Sequence, residues 1–287
     1  SRWVSETLHR SFVKVVRLVP IGADVGIAAA LFLWFQRSGM QEIAFRSGLS
    51  YALNPIPVFV SAYHGQFDAV PALCILLALF WFEGASLLAG GWLGLGILDK
   101  SWPVLALPPL LIRAGGWKRK LLLTGAAVVV PMVGVALYAT LVGTDLIAML
   151  RRVLGYNWGI GVWGYTYFFR LLSVLRPGFA GPFEWLVRFG RYVTLIALTL
   201  VWLARAGKER PEGGVLTTLV TFFAVTHAFS IQYLMWVIPF AILNREDRWL
   251  RRYTLGAFAY MLLTYTTLIL EMHITRLLPW PQADWFI

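Results

Sequence analysis

The sequence predicts an all-α, polytopic integral membrane protein, and three observations carry that prediction. Apolar runs recur along the whole 287-residue chain, where a single anchor would confine them to one place. Charged residues make up only 14%, against roughly a quarter in a soluble domain, so too little charge is present to coat a water-facing surface. The basic residues fall in short blocks between the apolar runs, as they do in the loops of membrane proteins.

Residues 1–17 read as a basic amphipathic segment, with Trp3, Leu8, Phe12 and Val15 set against Arg2, Arg10, Lys14 and Arg17. Such a helix suits the membrane interface. The first span is predicted over 18–35. The second, 44–63, is interrupted at Asn54-Pro55-Ile56-Pro57, where proline removes helical hydrogen bonds and predicts a kink or break. A third covers 69–83. Two short apolar segments, 85–98 and 102–113, flank Asp99-Lys100-Ser101, and further spans come at 121–142, 186–204, 214–230, 232–243 and 253–271. A full crossing needs about 20 apolar residues, so the shortest are expected to be half-helices or tilted pieces around a cavity. Together they make a single domain over 1–287 with about 8–10 crossing or half-crossing helices. The chain opens on Ser1 without a signal-peptide pattern, so the start of the coding sequence is expected upstream.

The net charge is +11. With 36–47, 113–120, 205–212 and 245–252 on one side, that side holds thirteen Lys and Arg. The opposite loops, 63–68, 99–103, 143–183, 228–232 and 272–287, hold six, four of them in 143–183. The positive-inside rule then makes the first side cytoplasmic. His64 to Asp68, Lys100, the 143–183 loop and Gln232 all fall on the extracytoplasmic side. The interrupted basic blocks point to a lipid bilayer and not to nucleic acid, which would ask for a continuous basic stripe. Cys74 is the only cysteine, which excludes an intramolecular disulfide and a cysteine-based metal site. The chain carries no Walker A motif and no H-E-x-x-H, and Gly94-Leu95-Gly96 is no dinucleotide fingerprint without a parallel sheet. No internal repeat is evident.

The stretch His64-Gly65-Gln66-Phe67-Asp68 admits two readings. Asp68 can cap the next helix, with Pro71 in its first turn and Gly65 serving the bend. Alternatively His64, Gln66 and Asp68 line a polar pocket at the membrane surface; a cap has no use for the first two. Lys100 follows a mostly apolar stretch. It either pairs with Asp99 or snorkels, or it binds phosphate as a point charge. The loop 143–183 holds Tyr156, Trp158, Trp163, Tyr165, Tyr167, Phe168 and Phe169 with Arg151 and Arg152. These make an aromatic belt, or a lid over a glycan or lipid head group. Gln232, Tyr233 and Trp236 come after His227 at an outer helix end, where such residues commonly anchor the interface.

Five stretches in order resemble one family: Asp24 in the first span, Asn54-Pro55-Ile56-Pro57, Gly65-Gln66-Phe67-Asp68, Lys100 with Pro103, and Gln232-Tyr233 with Trp236. The chain resembles the polyprenol-phosphate-mannose-dependent mannosyltransferases of the GT-C superfamily. The likeness is to the bacterial multi-span members and to the catalytic subunit of GPI mannosyltransferase I, over roughly residues 18–245. The resemblance implies a GT-C-like fold. It also implies transfer of a hexose, mannose foremost, from a polyprenyl-phosphate sugar donor to a lipid or glycan acceptor on the extracytoplasmic face, with inversion. The Ala, Leu, Gly and Arg content points to a bacterial or archaeal plasma membrane. Cationic groups must then stabilise the departing phosphate and a carboxylate must take the acceptor's proton. Asp68 and His64 are the expected catalytic candidates. Gln66, Lys100, Arg151, Arg152, Gln232 and Tyr233 are the expected substrate-binding residues. In this family the essential acid lies on the first outer loop, which is expected upstream of residue 1. No protein metal ligands are assigned, no cofactor is fixed, and a divalent cation stays open. A transporter or flippase of a lipid-linked or anionic solute is the alternative, since broken helices flank transport sites. A non-catalytic assembly subunit is the third reading.

Overall fold

The computed structural model describes residues 12–154, 160–176, 178, 180–205 and 207–274, and helix is the only regular structure among them. The helices are α1 (Phe12–Arg37), α2 (Gln41–Ala52), α3 (Ala69–Trp81), α4 (Ser86–Asp99), α5 (Leu107–Arg113) and α6 (Trp117–Val142). They continue with α7 (Leu146–Leu154), α8 (Gly164–Leu175), α9 (Ala180–Arg205), α10 (Pro211–Val225), α11 (Ile238–Leu243) and α12 (Asp247–Ile274). Residues 1–11 of the expected interfacial segment lie outside the described residues, and 12–17 continue directly into α1. The 143–183 stretch is no open loop, since α7 and α8 occupy much of it.

Three helices, Lys14–Arg37, Trp117–Val142 and Ala180–Arg205, are long and apolar enough to cross a membrane. Their outer faces are apolar. On α6, Leu121, Leu122, Val128, Val129, Met132 and Val133 are all exposed, a surface that water would not tolerate but lipid would. The other apolar helices are shorter. The 13 residues of α3 and 14 of α4 reach only about 20 Å, against about 30 Å of hydrocarbon. The centre of the bundle is the segment 231–243, a 3-10 turn (Ile231–Met235) leading into α11, where Ile238, Phe240 and Ala241 are sealed from solvent.

The break in the second span has a local cause. Asn54 Oδ1 accepts the Ile56 backbone N–H at 3.1 Å, capping the turn Pro55–Pro57, while its Nδ2 donates to Thr254 Oγ1 of α12 at 3.0 Å. Proline at the first position of that turn forfeits no hydrogen bond. The chain then runs as a π-helix, Val58–His64, and stops at Gly65, whose φ of 77° is left-handed.

Helix register sets the depth of Asp68, Asp99 and Lys100. α4 and α6 run parallel. A Cβ on Gly90 would strike Leu123 O, one on Gly94 would lie 2.9 Å from Ala126 O, and Gly134 faces Leu98. The G-x-x-x-G spacing lets the two backbones touch. α6 therefore extends about 12 Å past the level of Leu98, which leaves Asp99 and Lys100 recessed by roughly 10 Å. On the other side Gly26 of α1 faces Leu73 of α3, and Arg37 lies over Phe80, so these helices are parallel too. By the same count α1 rises roughly 13 Å beyond Asp68. The short helices end below the rims of the long ones.

Candidate active site

The recessed end of α3 holds Asp68. Its carboxylate does not cap the helix: no side-chain cap bond forms at this N-terminus. Instead Oδ2 accepts from Lys100 Nζ at 2.7 Å and Oδ1 accepts from Trp236 Nε1 at 2.8 Å. The pairing of Lys100 with Asp99 is thus replaced by one with Asp68, 32 residues away. Asp68 is fully buried, while the Lys100 side chain keeps 28% of its surface. A carboxylate taken wholly out of water costs several kcal/mol unless charge-assisted hydrogen bonds replace the water, and both of its oxygens have one here. The ammonium has three N–H groups and gives one to Asp68, so two are not spent on the carboxylate.

Trp236 is not the interfacial anchor its position suggested. It is 1% exposed and clamped between rings. Trp102 stacks on it at 4.1 Å and 9°, and Tyr233 lies at 4.0 Å on it. This clamp fixes the rotation of the indole and so the direction of the N–H that meets Asp68. Gln232 Oε1 accepts from Ser230 Oγ, which holds the Gln232 side chain close to its own turn.

His64 ends the π-helix beside this group. Its Nδ1 meets the Tyr265 hydroxyl of α12, and its Nε2 faces the Gln66 amide at 3.4 Å. Burial lowers its pKa below the ordinary imidazole value; the Asp68 carboxylate opposes that, and Lys100 and Arg17 add to it. Arg17 of α1 packs against Gly65, where a Cβ would come within 3.3 Å of Nε. Deeper in the bundle Tyr51 donates to Asp24 Oδ1 at 2.7 Å, which gives the first-span acid a partner.

The structure thus gathers His64, Gln66, Asp68, Lys100 and Trp236 at one end, with Tyr233 against the indole and Gln232 bonded to Ser230 in the adjoining turn. It does not bring in Arg151 of α7. Arg151 stands exposed, and among the described residues no hydrogen bond or ion pair joins it to Asp68 or Lys100. The Arg152 side chain, Tyr156 and Trp158 lie outside the described residues. Sequence reasoning missed Tyr51 and Tyr265, whose partners Asp24 and His64 lie 27 and 201 residues away. Trp102 was within reach, two residues from Lys100, as the aromatic neighbour of a buried charge.

An all-α bundle with three helices long and apolar enough to cross a membrane, and a lysine paired with a buried carboxylate at its recessed end, defines a membrane protein with one cationic group set below its helix ends. The comparison with known proteins makes the class specific. The chain belongs to glycosyltransferase family 87, whose sequence model matches residues 12–230. It is therefore an all-α polytopic membrane glycosyltransferase, which takes a sugar donor and an acceptor. No curated protein and no solved structure matches it.

Proposed function

We propose that this glycosyltransferase moves a hexose, mannose foremost, from a polyprenyl-phosphate donor to a lipid or glycan hydroxyl on the extracytoplasmic face. The observation that carries the reading is Lys100: an ammonium roughly 10 Å below the helix rim, fixed by Asp68 and with two N–H groups unspent. A lipid phosphate sits at such a depth, whereas a soluble nucleotide sugar has no reason to enter there. In the reaction the acceptor oxygen bonds to the anomeric carbon as the carbon–oxygen bond to phosphate breaks. The electron pair leaves with the polyprenyl phosphate, whose added charge Lys100 stabilises. The hydroxyl proton passes to a base, for which His64 and Asp68 are this chain's candidates. Asp68, with both oxygens engaged, also serves to position the ammonium. Gln66, Gln232 and Tyr233 are proposed to contact the sugars.

The test uses the full chain in proteoliposomes with radiolabelled polyprenyl-phosphate sugars and, in parallel, nucleotide sugars. Transfer from a polyprenyl-phosphate hexose supports the reading. A folded protein that transfers only from nucleotide sugars, or from no donor, overturns it.

A further inference from the structure

A groove of about 420 Å³ opens on the far side of the Trp236 clamp, between α8, α10, the turn Ile231–Met235 and α12. Tyr165, Phe223, Phe229, Tyr253 and Tyr260 wall it. The polar atoms of these walls are turned to the protein backbone. Tyr165 donates to Val225 O at 3.0 Å and Tyr253 to Leu234 O at 2.7 Å. Tyr260 Oη accepts the Gly164 N–H at 3.4 Å, and Thr226 Oγ1 accepts the Ala228 N–H at 3.4 Å. What faces the groove is therefore ring and methylene surface. A sugar has no use for such walls, since its hydroxyls would lose water and gain few partners. A hydrocarbon chain fits them.

One lining residue breaks the pattern. Arg252 stands at one end, exposed, and among the described residues it has no hydrogen bond or ion pair. It lies eight residues, about 12 Å of helix, from Tyr260, which marks the other end. Arg252 belongs to the basic block with Arg245, Arg248 and Arg251, and lies thirteen residues, about 20 Å of helix, from Tyr265, which meets His64 beside Asp68 and Lys100. A donor lipid whose phosphate meets Lys100 cannot place that phosphate on Arg252 as well.

We propose that the groove is a binding site for an anionic phospholipid of the leaflet at the basic end, with its phosphate on Arg252 and one acyl chain along the aromatic walls. Gly256 supplies the control. It lines the groove, and a Cβ there meets nothing within 4 Å, so a side chain can start there without striking protein, and Gly256→Leu takes up space the acyl chain needs.

Native mass spectrometry of the full chain, titrated with phosphatidylglycerol and phosphatidylcholine, reads the site. Wild type is expected to retain phosphatidylglycerol about fivefold better, the preference one arginine provides near a membrane surface. Arg252→Gln should abolish the preference, Arg251→Gln, outside the groove, should keep most of it, and Gly256→Leu should weaken retention of both lipids. Equal retention of the two lipids by wild type overturns the proposal. So does an equal effect of the two arginine variants, or displacement of phosphatidylglycerol by stoichiometric polyprenyl phosphate. None of these readouts depends on transferase activity, so the proposal can fail without touching the donor assignment.

Discussion

Trp236 donates its indole N–H to Asp68 at 2.8 Å, from a residue 168 positions away in sequence, and so fixes one oxygen of a carboxylate that no water reaches. The other oxygen is left to orient Lys100. The position of the ammonium thus depends on the ring clamp around Trp236 as well as on the ion pair itself.

Trp236→Phe separates these contributions. Phenylalanine keeps a ring between Trp102 and Tyr233 but gives Asp68 nothing, leaving one carboxylate oxygen buried and unpaired. That costs about 1–3 kcal/mol of stability. A looser carboxylate lets the ammonium drift, and transfer should fall about tenfold, the equivalent of roughly 1.4 kcal/mol in the barrier. Thermal unfolding in detergent and donor turnover check the two parts. Full activity with a lowered Tm would show that the indole only supports the fold.

Lys100→Met removes the charge and nearly preserves the length. It leaves Asp68 as an uncompensated buried anion, at a cost of about 3–5 kcal/mol. Adding Asp68→Asn removes that anion, so the double variant should recover most of the stability while remaining unable to bind donor phosphate. Lys100→Ala, for its part, should weaken donor binding more than acceptor binding. Recovery of activity together with stability in the double variant would remove Lys100 from the chemistry.

How much of this was legible beforehand depends on whether the partner lay nearby in sequence. The all-α class, the break at Asn54-Pro55 and the half-length helices around Lys100 follow from local apolar length and from proline, and the structure has them. The sequence leaves two roles open for Asp68, and its capping role is the one the structure removes. A carboxylate ahead of a helix looks the same whether it bonds its own backbone or a tryptophan far along the chain. The same holds for Tyr265 on His64, 201 residues apart, and for the register that buries Lys100 below the end of α6. Such pairings are set by helix packing, and a single sequence does not display them.

His64 provides a pH test. Because burial lowers its pKa in the folded protein, the unfolded chain binds the proton first. The neutral ring's contribution to stability is therefore complete above about pH 6.5 and is lost as the pH falls below it. His64→Gln, which keeps a hydrogen-bonding group for Tyr265, should flatten the fall in Tm between pH 7 and pH 5. A slope equal to that of wild type would mean that His64 is not the group responsible.

The contact between α4 and α6 sets the depth of Lys100, and adjacent glycines make it testable. A Cβ on Gly90 runs into Leu123 O, whereas one on Gly91 meets nothing within 4 Å. Gly90→Val should force the helices apart, lower stability by about 1–3 kcal/mol or more, and reduce transfer with it. Gly91→Val should fold and work almost as wild type, since it faces away from the contact. Similar Tm losses for the two would show that backbone flexibility, and not close packing, is what the glycines provide.

Depth and sidedness are read together by cysteine labelling after Cys74, buried and free, is replaced by alanine. The helix directions put Gln66, Ser101 and Thr144 at one end of the bundle and Ser38 and Gly115 at the other. The basic blocks predict that the first end faces outward. A membrane-impermeant maleimide added to intact cells should therefore modify Gln66→Cys, Ser101→Cys and Thr144→Cys, and reach Ser38→Cys and Gly115→Cys only after permeabilisation. Because Ser101 neighbours Lys100, roughly 10 Å below the end of α6, while Thr144 lies just beyond that end, the cysteine at 101 should react several-fold more slowly than the one at 144. Equal rates would place Lys100 at the rim in contact with bulk water, where a soluble donor reaches it as readily as a lipid. Labelling of 66 and 101 from opposite sides would separate the residues that the Asp68 group needs together.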